Sequence, residues 1–366
     1  MNLIEQIGIL RKEINTDSYP MSLGEIINLY RDNELDIHPE FQRLYRWSDI
    51  QKSRLIESIL LGIPLPSFFV SQRSDGIWDV IDGLQRLSTI FSFVGIYKDE
   101  NGKILEPLRL VETEHLNLEG MYWDKEGALS LPKELQRTFK REKIDFKIIK
   151  NESDPMMKYE LFQRLNTYGS ELSDQEVRNC LLIMMNRDMF EWLKELSNLP
   201  QFKASIPITD NKIEVQYYME LATRFIILKD IEASFLSDIR DINDFITVKT
   251  KELANNPNFD YEKEALIFSE TFKIINEALG EDSFRKYDGN KYKGPFLLSI
   301  YEVLALGVGY LFSEDPDLDK HQLTEKLTNV SRGLSTNTEY IANSGSGYRA
   351  NQRLPKLIPL GRHILS

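Results

Sequence analysis

The spacing of apolar residues changes several times along the chain, and each change marks an element. Leu23–Tyr30 reads as a short helix followed by the polar turn Arg31–Asn33. The stretch "LDIHPEFQRLYRW" reads as extended, because Pro39 blocks a helix there. A helix is then signalled by Ser48 and Gln51 at capping-box spacing. Leu55, Ile56, Ile59 and Leu60 give that helix an apolar face, Gly62 offers a C-cap, and Pro64 and Pro66 stop it. "SFFVSQ" and "IWDVID" alternate as strands around the turn "RSDG", which predicts a hairpin. After Asp82 the period becomes helical, with Leu84, Leu87, Phe91 and Val94 on one face.

Lys98–Arg141 shows no clear period, and "LRLVE" is its candidate strand. Ile144–Lys150 predicts a strand. Asp154-Pro155 opens a helix reaching Leu165. After the turn "NTYGSEL", Ser173 and Glu176 form a second capping box, heading a helix expected to bury Val177, Cys180, Leu181 and Met184. Beyond Asn186 the pattern is helical, with stripes at Ile213, Tyr217, Leu221 and Phe225 and at Phe268, Phe272, Ile275 and Leu279. The pattern predicts an α+β protein: a mixed α/β domain over residues 1–150, then a mostly helical domain over residues 151–366. Pro295–Phe312 is apolar and nearly long enough to span a bilayer. Glu302 in its middle, two glycines and its isolation make it a buried helix instead.

Of the 366 residues, 42% are hydrophobic and 28% charged, the balance of a soluble globular protein. A net charge of −12 argues against a general nucleic-acid coat but leaves room for a local basic groove. Arg332–Ser366 is one candidate, with Arg349 and Arg353 the proposed DNA-contacting residues. The single cysteine, Cys180, rules out an intrachain disulfide and fits a reducing cytoplasm. The first residues lack the apolar core of a signal peptide, so the expected location is cytoplasmic, away from any membrane.

Candidate chemistry concentrates where the second hairpin strand meets a helix, at Asp82-Gly83-Leu84-Gln85-Arg86. The first turn of a helix offers backbone N–H groups without intrahelical partners, and the macrodipole adds positive character. An anion, a phosphate above all, can bind there. Gly83 permits close approach, Arg86 supplies a forked cation, Gln85 can orient water or phosphate, and Asp82 can hold Mg2+ or position attacking water. The plain alternative is an N-cap, a tight turn and a surface arginine. No Walker spacing is present.

Two further clusters stand out. In "FQRLYRW", Arg43 and Arg46 lie between aromatics in an extended stretch, able to reach phosphates while rings stack on a base, or else to snorkel from a packed core. In "LFQRLNTYGSELSDQEVRN", Arg164 and Asn166 end one helix and can complete a polar pocket. Glu176 there reads as closing the capping box.

In order and spacing, "PEFQRLYRW", "LIESILLGIPLP", "VIDGLQRLSTI" and "LFQRLNTYGSELSDQEVRN" resemble the bacterial GmrSD-type restriction family, in its N-terminal "DGQQR" domain. The resemblance covers roughly residues 20–185. It implies a ParB/sulfiredoxin-like fold and nucleotide binding and hydrolysis in a system that attacks modified phage DNA. Asp82, Gly83, Gln85 and Arg86 match the family's phosphate-handling motif, Arg43 and Arg46 its upstream arginines, and Arg164 and Asn166 its downstream element. Leu84 replaces the first glutamine, at a position that faces the apolar side. Relatives often carry an HNH nuclease, but His38, His115, His321 and His363 are scattered, and no such centre is expected in this chain. His115 reads as a solvated loop residue.

The leading expectation is therefore an NTPase subunit of a DNA-defence system, using a nucleoside triphosphate (ATP, GTP or another) with Mg2+. Candidate partners are DNA, a separate nuclease subunit and a second copy of the chain. The alternatives are a non-catalytic DNA-binding or adaptor module and, third, a metal-dependent nuclease built on Asp82.

Overall fold

The computed structural model describes residues 16–37, 47–99, 101–150, 173–236, 240–345 and 347–366. The chain divides into two compact units, Met1–Glu171 and Leu172–Ser366.

In the first unit, β1 (Thr16–Ser22), β2 (Leu35–Asp36), β3 (Phe68–Gln72), β4 (Trp78–Asp82) and β5 (Lys143–Ile149) form one mixed sheet in the order β1-β5-β3-β4-β2. β3 and β4 pair antiparallel, as the hairpin pattern predicts, with a register shift between Phe69 and Val70. β3 pairs parallel with β5, and β2 parallel with β4.

Among the described residues four helices accompany this sheet: α1 (Leu23–Arg31), α2 (Asp49–Leu60), α3 (Leu84–Val94) and α4 (Lys133–Arg141). The capping box at α2 is complete, the Ser48 hydroxyl accepting from Gln51 N–H and the Gln51 side chain accepting from Ser48 N–H. The pattern did not predict β1, "LRLVE" forms no strand, and α4 was not predicted either. Its sequence, KELQRTFKR, offers only Gln136 and Phe139 as buried positions, too few to show a period.

Alternate strand residues Phe68, Val70, Val80, Ile144, Phe146 and Ile148 meet Ile26, Ile56, Leu87, Phe91, Phe93 and Phe139 of the helices in one apolar core. Phe68 stacks on Phe146 at 5.2 Å between ring centroids, and Tyr30 on Phe91 at 4.1 Å. Each fully buried side chain of this size is worth about 1.5–3 kcal/mol. The loop after α3 is fastened by Glu57, only 5% exposed, whose carboxylate accepts from the His115 N–H at 2.9 Å and the Leu116 N–H at 2.7 Å. His115 itself is exposed.

The second unit is mostly helical, as expected. The helices used below are α5 (Asp174–Met185), α6 (Tyr217–Leu228), α7 (Ile242–Ala254), α8 (Tyr261–Leu279), α9 (Leu298–Glu314) and α10 (Ala350–Leu365). α9 and α10 cross closely because Gly361 lies against the Val303 carbonyl, where any Cβ would overlap it. Phe225 of α6 and Phe268 and Phe272 of α8 form an aromatic cluster, so the two predicted stripes meet. Ile213 falls on a separate short helix, because Gln216 at φ 59° interrupts the run. Among the described residues no helix is long and apolar enough to cross a membrane. The apolar stretch around Glu302 is buried α9, with Glu302 2% exposed.

Burial raises the Glu57 carboxyl, but hydrogen bonds from Thr113 and from the Leu116 and His115 amides outweigh it and hold the group below its usual range. Its stabilising contribution is therefore full above the unfolded-state value of about 4.3 and is lost as pH falls through the lower folded value. Glu57→Ala should cost about 1–3 kcal/mol at neutral pH. Urea titrations across pH should show that deficit shrinking in acid.

Candidate functional site

The hairpin strand β4 runs into α3 through Gly83, whose φ of 98° is left-handed. Glycine reaches this region at no steric cost. A side chain would also overlap the Phe68 ring, which lies directly under Gly83. α1, α2 and α5 begin on Ser22, Ser48 and Ser173, whose hydroxyls accept from the first turn. α3 begins on Gly83 with no side-chain cap. Its amino end thus keeps the donors and the positive dipole end that an anion can use.

Arg86 is turned back against the junction rather than outward. Its Nη1 donates to the Pro66 carbonyl, and its Nη2 donates to the Ser67 carbonyl at 3.3 Å and to Asp82 Oδ2 at 3.1 Å. The guanidinium sits 4.3 Å from the Phe68 ring centroid, and the side chain is 12% exposed. Burial pushes the guanidinium below its ordinary pKa and the Asp82 charge opposes this. Arginine still stays charged at any physiological pH. Sequence reasoning gave Arg86 to a ligand; the structure also gives it the task of fastening the loop before β3 to the start of α3. Phe68 and the Pro66–Ser67 carbonyls were missed as partners, since nothing in "IPLPSFF" shows which carbonyls will face a cation.

Asp82 ends β4 with its side chain 34% exposed, at the rim of the junction. Gln85 accepts from the Trp47 N–H at 3.4 Å. The last residue of "FQRLYRW" therefore reaches the start of α3, joining two motifs that lie far apart in sequence. Arg43, Arg46, Arg164 and Asn166 lie outside the described residues, as do the helix expected from Asp154 and the side chain of Met184.

A separate ion cluster was not foreseen. Arg73 Nε donates to Asp79 Oδ2 at 2.8 Å, and Arg73 Nη2 to Asp36 on the neighbouring strand. Asp79 pairs with Ser71 and Asp82 with Phe69, so the register shift puts both carboxylates on one side of the sheet, toward opposite ends of β4. The cluster ties β2 and β4 to the hairpin turn rather than serving the junction. Among the described residues no group of three or more His, Cys, Asp or Glu side chains is placed to hold a metal ion. Asp82 alone fits the one-carboxylate role usual for Mg2+, whose other ligands come from phosphate and water.

The third motif also resolves differently from its pattern. On α5 the capping box of Ser173 and Glu176 forms, and Cys180 and Leu181 are buried. Val177 is only half-buried, whereas Gln175, Arg178 and Asn179 are buried. Arg178 Nε donates to Gln175 Oε1 at 2.9 Å and Gln175 Nε2 to Asn179 Oδ1 at 2.8 Å. Arg224 of α6 donates to Glu220 at 2.9 Å and to Asn243 of α7 at 3.3 Å. This part of the motif packs polar groups between helices.

In the basic tail, Arg349 is exposed. Arg353 instead forms a forked pair with buried Glu302, Nε to Oε2 at 2.6 Å and Nη2 to Oε1 at 2.8 Å. Arg362 donates to the Lys229 and Ile231 carbonyls, each at 2.7 Å, and covers the Tyr310 ring.

The first unit is thus a mixed-sheet domain whose candidate site is a glycine-bearing strand-to-helix junction flanked by Asp82, Gln85 and Arg86. Residues 23–183 match the family model for the GmrSD restriction endonuclease, N-terminal domain. This part of the chain is a GmrSD-type N-terminal domain. The match runs past the division at Leu172 and takes in most of α5. No curated protein and no solved structure matches the chain.

Three substitutions separate fastening from surface roles. Arg86→Ala should lower stability by about 1.5–3 kcal/mol, the value of charged hydrogen bonds, and shift the thermal midpoint measurably. Arg353→Ala should cost about 3–5 kcal/mol by leaving Glu302 buried and unpaired. Arg349→Ala, read in the same denaturation assay, should change stability by less than about 0.5 kcal/mol.

Proposed function

We propose that the protein is the nucleotide-binding and nucleotide-hydrolysing subunit of a GmrSD-type restriction system, with the triphosphate seated at the amino end of α3. The observation that carries this reading is the uncapped helix start behind Gly83, at the rim of which Asp82 is part-exposed. In this reading the backbone N–H groups of the first turn face the phosphates. Asp82 holds Mg2+ together with phosphate oxygens, or positions the attacking water. Gln85 holds Trp47 beside the helix start, and Arg43, Arg46, Arg164 and Asn166 are assigned further phosphate contacts in the same reading. Arg86 sets the junction's shape and adds positive field beside it. The likeness to ParB/sulfiredoxin-like folds and the cutting of DNA by a separate nuclease subunit, with no HNH centre here, belong to the same reading.

A second reading is favoured by one observation. Arg86 spends donors on two main-chain carbonyls and Asp82, which suits a non-catalytic DNA-binding or adaptor module that kept the fold without the chemistry. A nuclease built on Asp82 would need a further carboxylate cluster for a two-metal site.

Full-length protein with Mg2+ and a panel of nucleoside triphosphates should show a raised melting temperature with at least one of them, by mass action. Phosphate release measured in the same samples should fall at least about tenfold in Asp82→Asn, as expected when a group acting on the attacking water is lost. If no nucleotide shifts the melting temperature, the seat does not exist. If Asp82→Asn turns over like the unmodified chain, its catalytic assignment is wrong. A melting shift without turnover would favour the adaptor reading.

A further inference from the structure

We propose that the exposed face of α4, together with Lys143 at the start of β5, docks the phosphodiester backbone of a DNA duplex. At about 100° per residue, Lys133, Arg137, Lys140 and Arg141 fall within an arc of roughly 100° on α4. All four are exposed, while Gln136 and Phe139 anchor the helix from the other side. Lys143 follows directly and is exposed as well. From Lys133 to Lys150 the chain carries seven cations against Glu134, Glu142 and Asp145, a local balance of +4 in a chain of net −12.

These cations differ from the others described above. Arg73, Arg86, Arg224 and Arg353 are each bonded to a carboxylate. Lys133 pairs with Asp124, both groups largely exposed. Among the described residues Arg137, Lys140, Arg141 and Lys143 form no ion pair; Lys140 lies 5.8 Å from the Trp123 ring centroid. Unneutralised cations on one helix face contribute little to folding and repel one another weakly. Their grouping needs an external anion to give it a use.

Charge complementarity selects a polyphosphate. The cationic run of α4 spans about 12 Å, and a duplex presents about seven phosphates over that length. Two of the cations are guanidiniums, whose forked donors suit phosphate oxygens. The C-terminal basic tail is a poorer candidate, since Arg353 and Arg362 are committed to Glu302 and to main-chain carbonyls. The inference stands apart from the nucleotide reading, because the α4 face needs no nucleotide to carry its charge.

The test is fluorescence anisotropy of a labelled duplex with full-length protein, without nucleotide, across a salt series. The unmodified chain should bind with a log–log salt slope of about −0.9 per phosphate contact. The triple variant R137Q/R141Q/K143Q should lose at least about tenfold in affinity, with a slope shallower by about 2–3. R137K/R141K should retain binding, and R349Q/K356Q should bind like the unmodified chain. The triple variant should keep its melting temperature and any nucleotide-induced shift, which separates failure here from failure of the nucleotide seat. Duplex binding that is absent at low salt, unchanged in the triple variant, or lost in R349Q/K356Q instead would overturn the proposal. Equal competition by polyglutamate would overturn it in favour of an acidic polypeptide.

Discussion

The first unit depends on how one guanidinium is held. Arg86 links four things that meet nowhere else: the Pro66–Ser67 main chain entering β3, the Phe68 ring in the core, the carboxylate ending β4, and the first turn of α3. A strand that becomes a helix within one residue needs a left-handed hinge, and Gly83 supplies it. The hinge alone would leave α3 free to swing. The contacts of Arg86 fix its direction, and Phe68 under Gly83 leaves no room for another residue there. Because the cation is 12% exposed and paired, its charge is felt locally without being available as an open hand for a ligand.

This changes what "DGLQR" means as a motif. Each residue is expected to contact a ligand, one role each. In the fold they form a hierarchy: Gly83 and Arg86 build the junction, Gln85 joins it to Trp47, and Asp82 lies part-exposed at the rim. The same sorting appears in the second unit. There "SDQEVRN" looks like an exposed helix start, yet Gln175, Arg178 and Asn179 are buried against α6 and α7. Such networks are costly when incomplete, which makes them better at specifying one packing than at adding stability.

The legible parts of the fold were those where a local rule decides the outcome. Ser48 with Gln51 and Ser173 with Glu176 made their capping boxes because the bonds span only three residues. The β3–β4 hairpin followed from its turn. What stayed hidden required partners distant in sequence. α4 shows no period, since two buried residues in nine carry too little pattern. Arg353 was read as a surface cation because Glu302 lies 51 positions away. Glu302, read as an argument against a membrane span, is in fact the buried partner that lets α10 lie against α9. At the candidate site, residue types were readable, but which of them fasten and which face outward was not.

The two kinds of arginine lead to a further step. A guanidinium bonded to a buried carboxylate, as in Arg353, is held by the desolvation that would follow its removal. One with no ion pair, as in Arg137 or Arg141, is held by nothing in the fold and is free to exchange counterions for phosphates. The sum of charges hides this distinction: a net of −12 is compatible with a basic contact surface when a surplus of cations sits on one helix face. For this protein, asking where each cation's partner lies is more informative than asking how many cations a segment contains. The question moves the expected nucleic-acid contact from the C-terminal tail, where Arg353 and Arg362 are spent on the fold, to α4, where Arg137 and Arg141 are not.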